Sequence, residues 1–206
     1  TNPITFENTE EKNVAILSIY KEQKEIIEKE NSLSVILDIE MKLLNTISSM
    51  EKTGITVSKE YLTAIELDLN TKISQMEKDI FTCCNQEKIN LNSPKQVSKL
   101  LFDTLGLATK KKSTSEDVLK TLTIEQPVVQ KILDDRSITK LKSTYVTGLI
   151  KHITEEGKIH TTYNQTIANT GRLSSTSPNL QSIPIRTEEG KKIREAFITT
   201  VNKKIV

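Results

Sequence analysis

Apolar residues recur at steps of three and four through the first three quarters of the chain and then fall into alternation. Residues 1–30 are rich in Glu and Lys, with Val14, Ile16, Leu17, Tyr20, Ile26 and Ile27 as the apolar minority. They predict one helix with a thin apolar stripe. Leu33, Ile36, Leu37, Glu40, Leu44 and Ile47 predict a second helix, stopped by Gly54 in a left-handed cap. Ile55-Thr56-Val57 reads as a short extended connector. Ser58 follows as an N-cap, with Val57 and Leu62 placed as a hydrophobic staple. Leu62, Ile65, Leu69, Ile73, Met76 and Ile80 then mark a helix of about 30 Å, at 1.5 Å per residue. The second and third helices, joined by a short turn, are expected to form an antiparallel arm.

Asn90-Leu91-Asn92-Ser93-Pro94-Lys95-Gln96 is a helix start: Ser93 caps, Pro94 occupies the first turn, and Gln96 sits at the capping-box position. That helix carries Val97, Leu100, Leu101 and Leu105 and ends at Gly106. Lys110-Lys111-Lys112 forms a loop, and Ser113 to Glu116 reads as a second capping box before a small helix through Val118, Leu119 and Leu122. Pro127 opens a further long helix with Val128, Val129, Ile132, Leu133, Ile138, Leu141 and Tyr145 on its buried side. Arg136, Lys140, Ser143 and Thr147 share another stripe of it, either a solvated face or a row of phosphate contacts. After Gly148 the period changes. Glu155 to Lys158 is hairpin-like, Lys158 to Thr166 alternates as one strand, a short helix surrounds Lys191 to Arg194, and Ala196 to Val206 reads as a last apolar strand.

Between these elements lies Thr170-Gly171-Arg172-Leu173-Ser174-Ser175, followed by Pro178-Asn179-Leu180-Gln181-Ser182-Ile183-Pro184-Ile185-Arg186. A Gly, two prolines and a Ser/Thr run exclude an ordinary helix. Leu173, Leu180, Ile183 and Ile185 supply apolar anchors, so an ordered loop is expected, presenting Arg172, Asn179, Gln181 and Arg186. Donors of this kind suit the minor groove of a nucleic-acid duplex, where every pair offers purine N3 and pyrimidine O2 acceptors. The alternative is a polar loop that satisfies its own backbone.

Charge sharpens the picture modestly. The chain has 206 residues, 35% of them hydrophobic and 27% charged, with a net charge of +2. Residues 1–94 carry 10 Lys/Arg against 16 Asp/Glu, residues 95–151 carry 11 against 6, and residues 152–206 carry 8 against 5. A basic later part facing a polyanion is one reading, and solvated charged faces are the other. No apolar run reaches membrane-spanning length and no signal stretch is present. A missing initiating Met is expected of a piece of a longer protein, with processing or trimming of the chain as the alternative. Adjacent Cys83 and Cys84 lack metal-ligand spacing and read as buried or half-buried thiols of a cytosolic protein. No catalytic constellation stands out, and Asp is absent beyond Asp135.

The loop, continued through Gly190-x-x-Ile193-Arg194-x-Ala196-Phe197, closely resembles family A DNA polymerases, the bacterial DNA polymerase I type. The resemblance extends through Lys140-Leu141-Lys142-Ser143-Thr144-Tyr145, Ser113-Thr114-Ser115, Leu101-Phe102-Asp103-x-Leu105-Gly106-Leu107, Asn90-Leu91-Asn92-Ser93 and Met50-Glu51-Lys52-Thr53-Gly54-Ile55, covering about residues 30 to 206. It implies a mainly α fold, the long antiparallel helices of a thumb, followed by a small α+β start of a palm with antiparallel strands. Its expected bounds are 1–40 for the end of an exonuclease-like domain and connector, 41–150 for the thumb, and 151–206 for the proximal palm.

The resemblance also implies roles. Arg172 contacts the primer-terminal pair, Asn179 and Gln181 the template side, and Arg186 the incoming nucleotide's phosphates. Arg136 and Lys140 hold the DNA backbone, and Asn90 and Ser93 make polar contacts to it. Partners are primer-template DNA and a deoxynucleoside triphosphate, with two Mg²⁺ ions in the whole enzyme and none held by this chain. The protein is expected to be a cytoplasmic, nucleoid-associated monomer. The family's Asp-Tyr-Ser motif would follow just after Val206, so no catalytic or metal residue is assigned here and the chain alone is expected to be inactive. Residues 110–113 suggest a shortened thumb tip, and residues 6–10 carry too few acids for a nuclease site. A non-catalytic duplex-binding module and a helical interaction protein are the competing readings.

Overall fold

The computed structural model describes residues 8–107, 112–124 and 126–199. The expectations for residues 6–7, for 110–111, and for the last strand beyond residue 199 lie outside them. The described chain is mainly helical, with a few antiparallel strands in two small sheets. It divides into two compact units, Thr1–Thr53 with Gln165–Leu173, and Gly54–Asn164 with Ser174–Val206.

In the first unit, α1 spans Thr9–Lys29. Asn8 caps it by accepting from the Glu11 N–H at 2.9 Å, and Glu10 and Glu11 oppose the positive end of the helix dipole. Val14, Ile16, Leu17, Ile19, Tyr20 and Ile26 of this helix are all exposed. The second predicted helix is one run with an insertion: α2 (Leu33–Val35), a π-helical turn (Ile36–Glu40) and α3 (Met41–Thr53). The π turn shifts the apolar stripe by one residue, so the regular spacing read from Leu33 to Ile47 does not stay on one face. Ile47 is the buried apolar side chain of this unit among the described residues.

The second unit is built on two long helices, α4 (Lys59–Cys84) and α7 (Pro127–Leu141), packed along each other. With 26 residues, α4 is about 39 Å long at 1.5 Å per residue, longer than its apolar stripe implied. Ser58 caps it by accepting from the Tyr61 N–H at 3.1 Å. One core gathers Ile80, Leu91, Val97, Leu101, Leu119, Val129 and Ile132 around the far ends of both helices. A second gathers Val57, Leu62, Ile65, Leu69, Leu141, Leu149, Ile159 and Ile193. Each fully buried Leu or Ile contributes roughly 1.5–3 kcal/mol, so α4 and α7 are fixed at both ends. The first core is completed by α5 (Pro94–Ser98), a π turn at Lys99–Thr104, and α6 (Glu116–Leu122). Beyond α7 a third π turn, Lys142–Thr147, leads into α8 (Gly148–Ile150).

The segment read as a connector does more than connect. As β1 (Ile55–Thr56) it pairs antiparallel with β2 (Lys158–Ile159), and Val57 bridges Phe197 on the other side. Ser58 donates to the Ala196 carbonyl and the Ile198 N–H to that of Thr56. Gly54 begins this stretch at φ +65°, and a Cβ there would stand 2.8 Å from the His160 ring. The single strand expected from Lys158 to Thr166 is two, because the chain changes partners after Ile159. β3 (Thr162–Asn164) pairs instead with β4 (Ser174–Thr176), Tyr163 opposite Ser175. The short helix α9 spans Glu188–Glu195.

Candidate nucleic-acid interface

The loop after β4 is built around one buried hydroxyl. Ser175 Oγ accepts from the N–H groups of Leu180 (3.1 Å) and Gln181 (3.3 Å) and lies 3.4 Å from Asn179 Oδ1, to which it donates. That uses the one donor and two lone pairs a serine possesses. Asn179 Oδ1 also accepts from Gln181 N and Ser182 N, both at 3.1 Å. From beneath, the buried Thr161 hydroxyl reaches the carbonyls of Thr176 (3.0 Å) and Pro178 (2.7 Å). Ile183 is buried and Leu180 packs against the second core. Ile185, expected as an anchor, is 61% exposed.

This network decides which groups face water. The Asn179 carbonyl oxygen is committed inward, leaving its Nδ2 hydrogens outward. Gln181 and Arg186 are exposed, and neither side chain has a protein partner among the described residues. Gln181, Arg186, Thr187 and Arg194 share a cavity of about 470 Å³ with Ile183, Pro184 and Ile185. Thr187 caps α9 by accepting from the Gly190 N–H at 3.1 Å. Gly190 is required there, since a Cβ would stand 2.5 Å from the Pro184 carbonyl oxygen. Arg172 belongs to the first unit, where it is exposed and likewise has no protein partner among the described residues.

The helical residues separate into committed and free groups. Arg136 Nε donates to the Leu91 carbonyl at 2.9 Å and Nη1 to that of Thr114 at 2.7 Å, while Nη2 is buried without a protein partner among the described residues. Its guanidinium therefore joins α7 to the turns at 90–93 and 113–115. Burial lowers its pKa, opposed by the nearby Asp135 carboxylate. Asn90 Oδ1 accepts from Asn92 N, and Gln96 Oε1 reaches back to Asn90 N at 2.7 Å rather than to Ser93. Ser93 Oγ accepts from Gln96 N, and Ser113 Oγ accepts from Ser115 N in place of the capping box read at Ser113 to Glu116. Lys140 is exposed and unpaired among the described residues, at the rim of a cavity of about 370 Å³ that also includes Glu116, Lys120, Ser137 and Arg136. Thr147 has left the stripe and donates to Glu66, because the π turn at Lys142–Thr147 rotates it toward α4.

Asp135 escaped the sequence reading. It is fully buried, and neither carboxylate oxygen has a protein partner among the described residues. Burial raises its pKa to about 6, Glu77 adds to the rise, and Arg136 opposes it. Its position, three residues after Ile132 and seven after Val128, was the available signal. Cys84 is buried and Cys83 exposed, and both are free thiols.

Two long helices feeding a short, mainly antiparallel strand region match the thumb and palm start of a polymerase. The solved POL domain of Pol1 from M. smegmatis, in complex with DNA primer-template and dNTP, is similar with a TM-score of 0.82 and 38% identity over 91% of this chain and 34% of that one. DNA polymerase I of Lactococcus lactis subsp. lactis (strain IL1403) is 43% identical over 202 residues, 95% of this chain and 23% of that protein. DNA polymerase I of Bacillus subtilis (strain 168) is 41% identical over 201 residues, again 95% and 23%. The profile described as DNA polymerase family A matches residues 59–206. The chain belongs to DNA polymerase family A, and it spans about a quarter of the length of these relatives (23%).

Proposed function

We propose that this chain is the duplex-gripping part of a DNA-directed DNA polymerase. Residues 41–150 form the thumb, 151–206 begin the palm, and 1–40 end a preceding exonuclease-like domain. The observation that carries the reading is the Ser175-centred loop, which commits the Asn179 carbonyl oxygen inward and leaves the Asn179 Nδ2 hydrogens, the Gln181 amide and the Arg186 guanidinium outward. Asn179 through Nδ2 and Gln181 through its whole amide touch the template side of the new duplex. Arg172 tests the primer-terminal pair, and Arg186 meets the incoming nucleotide's phosphates. Donors at universal minor-groove acceptors respond to the shape of a pair and not to its sequence. On the thumb, Lys140 neutralises a backbone phosphate. Arg136 supports the grip from below by fixing the turn that offers Asn90 and Ser93.

The whole enzyme extends a primer on a DNA template, the 3′ hydroxyl attacking the α-phosphate of a deoxynucleoside triphosphate in line. Family A polymerases use divalent metal ions; in the whole enzyme two Mg²⁺ ions would supply electrostatic stabilisation of the charge that develops during transfer. Among the described residues no group of three or more His, Cys, Asp or Glu side chains is placed to hold a metal ion. These residues supply grip and alignment, and no step through a metal is assigned to them. Among the same residues no helix is long and apolar enough to cross a membrane. We take the enzyme to act as a monomer on nucleoid DNA. The test compares the full-length protein with the 206-residue chain. Template-dependent incorporation is expected only from the former. The chain is expected to bind duplex with a log–log salt slope of about −0.9 per neutralised phosphate. Incorporation by the chain alone, or affinity indifferent to salt, overturns the reading.

A further inference from the structure

Residues Gln165–Leu173, which carry Arg172, belong to the compact unit formed with Thr1–Thr53. Gln165 makes a polar link to the rest of that unit. The half-buried Gln165 donates through Nε2 to the main-chain carbonyl of Glu40 at 3.0 Å and to Glu40 Oε2. Both partners lie in one residue, so the amide plane is fixed as well as its position. Glu40 itself closes the π-helical turn Ile36–Glu40, in which Met41 N donates to the Ile36 carbonyl. Such single-turn insertions interrupt an otherwise regular helix and are concentrated at functional sites. Further along the segment, Gly171 N donates to the Ala168 carbonyl at 3.2 Å with φ +72°, and Arg172 follows directly, exposed and without a protein partner among the described residues.

An arginine with no contact of its own is placed only by the backbone that bears it. A group that tests the shape of a base pair has to be held to within about 0.5 Å. We propose that Gln165 is a positioning residue for Arg172, with Glu40 as its anchor, so that a π turn in the helix before the thumb sets how strictly the primer-terminal pair is checked. The proposal rests on the reading of Arg172 given above. The chemistry is specific: the amide donates both bonds, and a carboxylate at 165 would face the Glu40 carboxylate with no hydrogen to offer.

The test is single-nucleotide extension of matched and mismatched primers by the full-length protein, with primer-template Kd measured separately. Gln165→Ala is expected to lower kcat on matched primers about tenfold, a misplacement effect, with Kd within twofold of wild type. Gln165→Glu is expected to be at least as impaired, and Glu40→Gln added to it to recover part of the loss by restoring a donor between the two side chains. In an Arg172→Ala background, Gln165→Ala is expected to have no further effect. A loss of equal size in both backgrounds, or a normal Gln165→Ala beside an impaired Arg172→Ala, overturns the positioning role alone. A normal Arg172→Ala overturns the reading of the loop and this proposal with it. Thermal unfolding of each variant separates a positioning loss from a folding loss: a defect that follows Tm and is not recovered by the Glu40→Gln exchange also overturns the proposal.

Discussion

Replacing Asp135 with Asn removes a carboxylate from between the long helices without changing the size of the side chain. Its two oxygens are fully buried and have no protein partner among the described residues, with Glu77 adding negative potential and Arg136 only partly offsetting it. The folded pKa is about 6, against about 3.9 for an unfolded Asp. Between those values the native state holds a proton that the unfolded state has lost. Stability from this group is therefore full below about pH 4, falls as pH rises through 6, and is flat above. A difference of about two units corresponds to about 3 kcal/mol above pH 7, at 1.36 kcal/mol per unit. Asparagine mimics the protonated acid at every pH. Urea unfolding of the 206-residue chain, followed by circular dichroism, is expected to show Asp135→Asn more stable by about 3 kcal/mol at pH 8 and by about 0.5 kcal/mol at pH 4. A variant no more stable than wild type at pH 8, or a gain that does not shrink toward pH 4, would refute the account of Asp135 as a destabilising buried charge.

Two other substitutions probe the interface. Ser175→Ala leaves the Leu180 N–H without its acceptor, while Gln181 N keeps Asn179 Oδ1. The expected cost is about 1–3 kcal/mol of stability, together with lower kcat/KM in primer extension by the full-length protein and little change in duplex Kd. Lys140→Ala is expected to do the reverse, weakening duplex binding and flattening the log–log salt slope by about one unit, read by fluorescence anisotropy across a salt series.

Helix positions were legible because burial along α4 and α7 follows the period of the apolar residues, and Ser58, Pro94 and Pro127 mark helix starts by local chemistry. What escaped was nonlocal. Alternation through Ile159, Thr161 and Tyr163 reads as one strand, since nothing in that run reveals that its partner changes from β1 to β4. The stripe from Arg136 to Thr147 assumed a regular helix, and a π turn removes Thr147 from it. The donor loop was readable in residue types, but not in which atoms were already used. That depended on Ser175 and Thr161, two small hydroxyls whose importance comes from burial. Asp135 lay on the apolar face by spacing, and its polarity argued against the position it holds.

The three residues from Ile55 to Val57 carry a consequence for how the chain folds. Their partners on both sides, Lys158–Ile159 and Phe197, are made more than about a hundred residues later. Because loop closure must precede such pairings, contacts this distant in sequence slow folding. A growing chain can build the α4–α7 pair from shorter-range contacts, whereas the extended residues at the head of α4 gain one partner with β2 and the other only when residues 196–198 have emerged. The contact with residues 196–198 is thus the later of two closures, and it joins the base of the helical pair to the chain that follows α9.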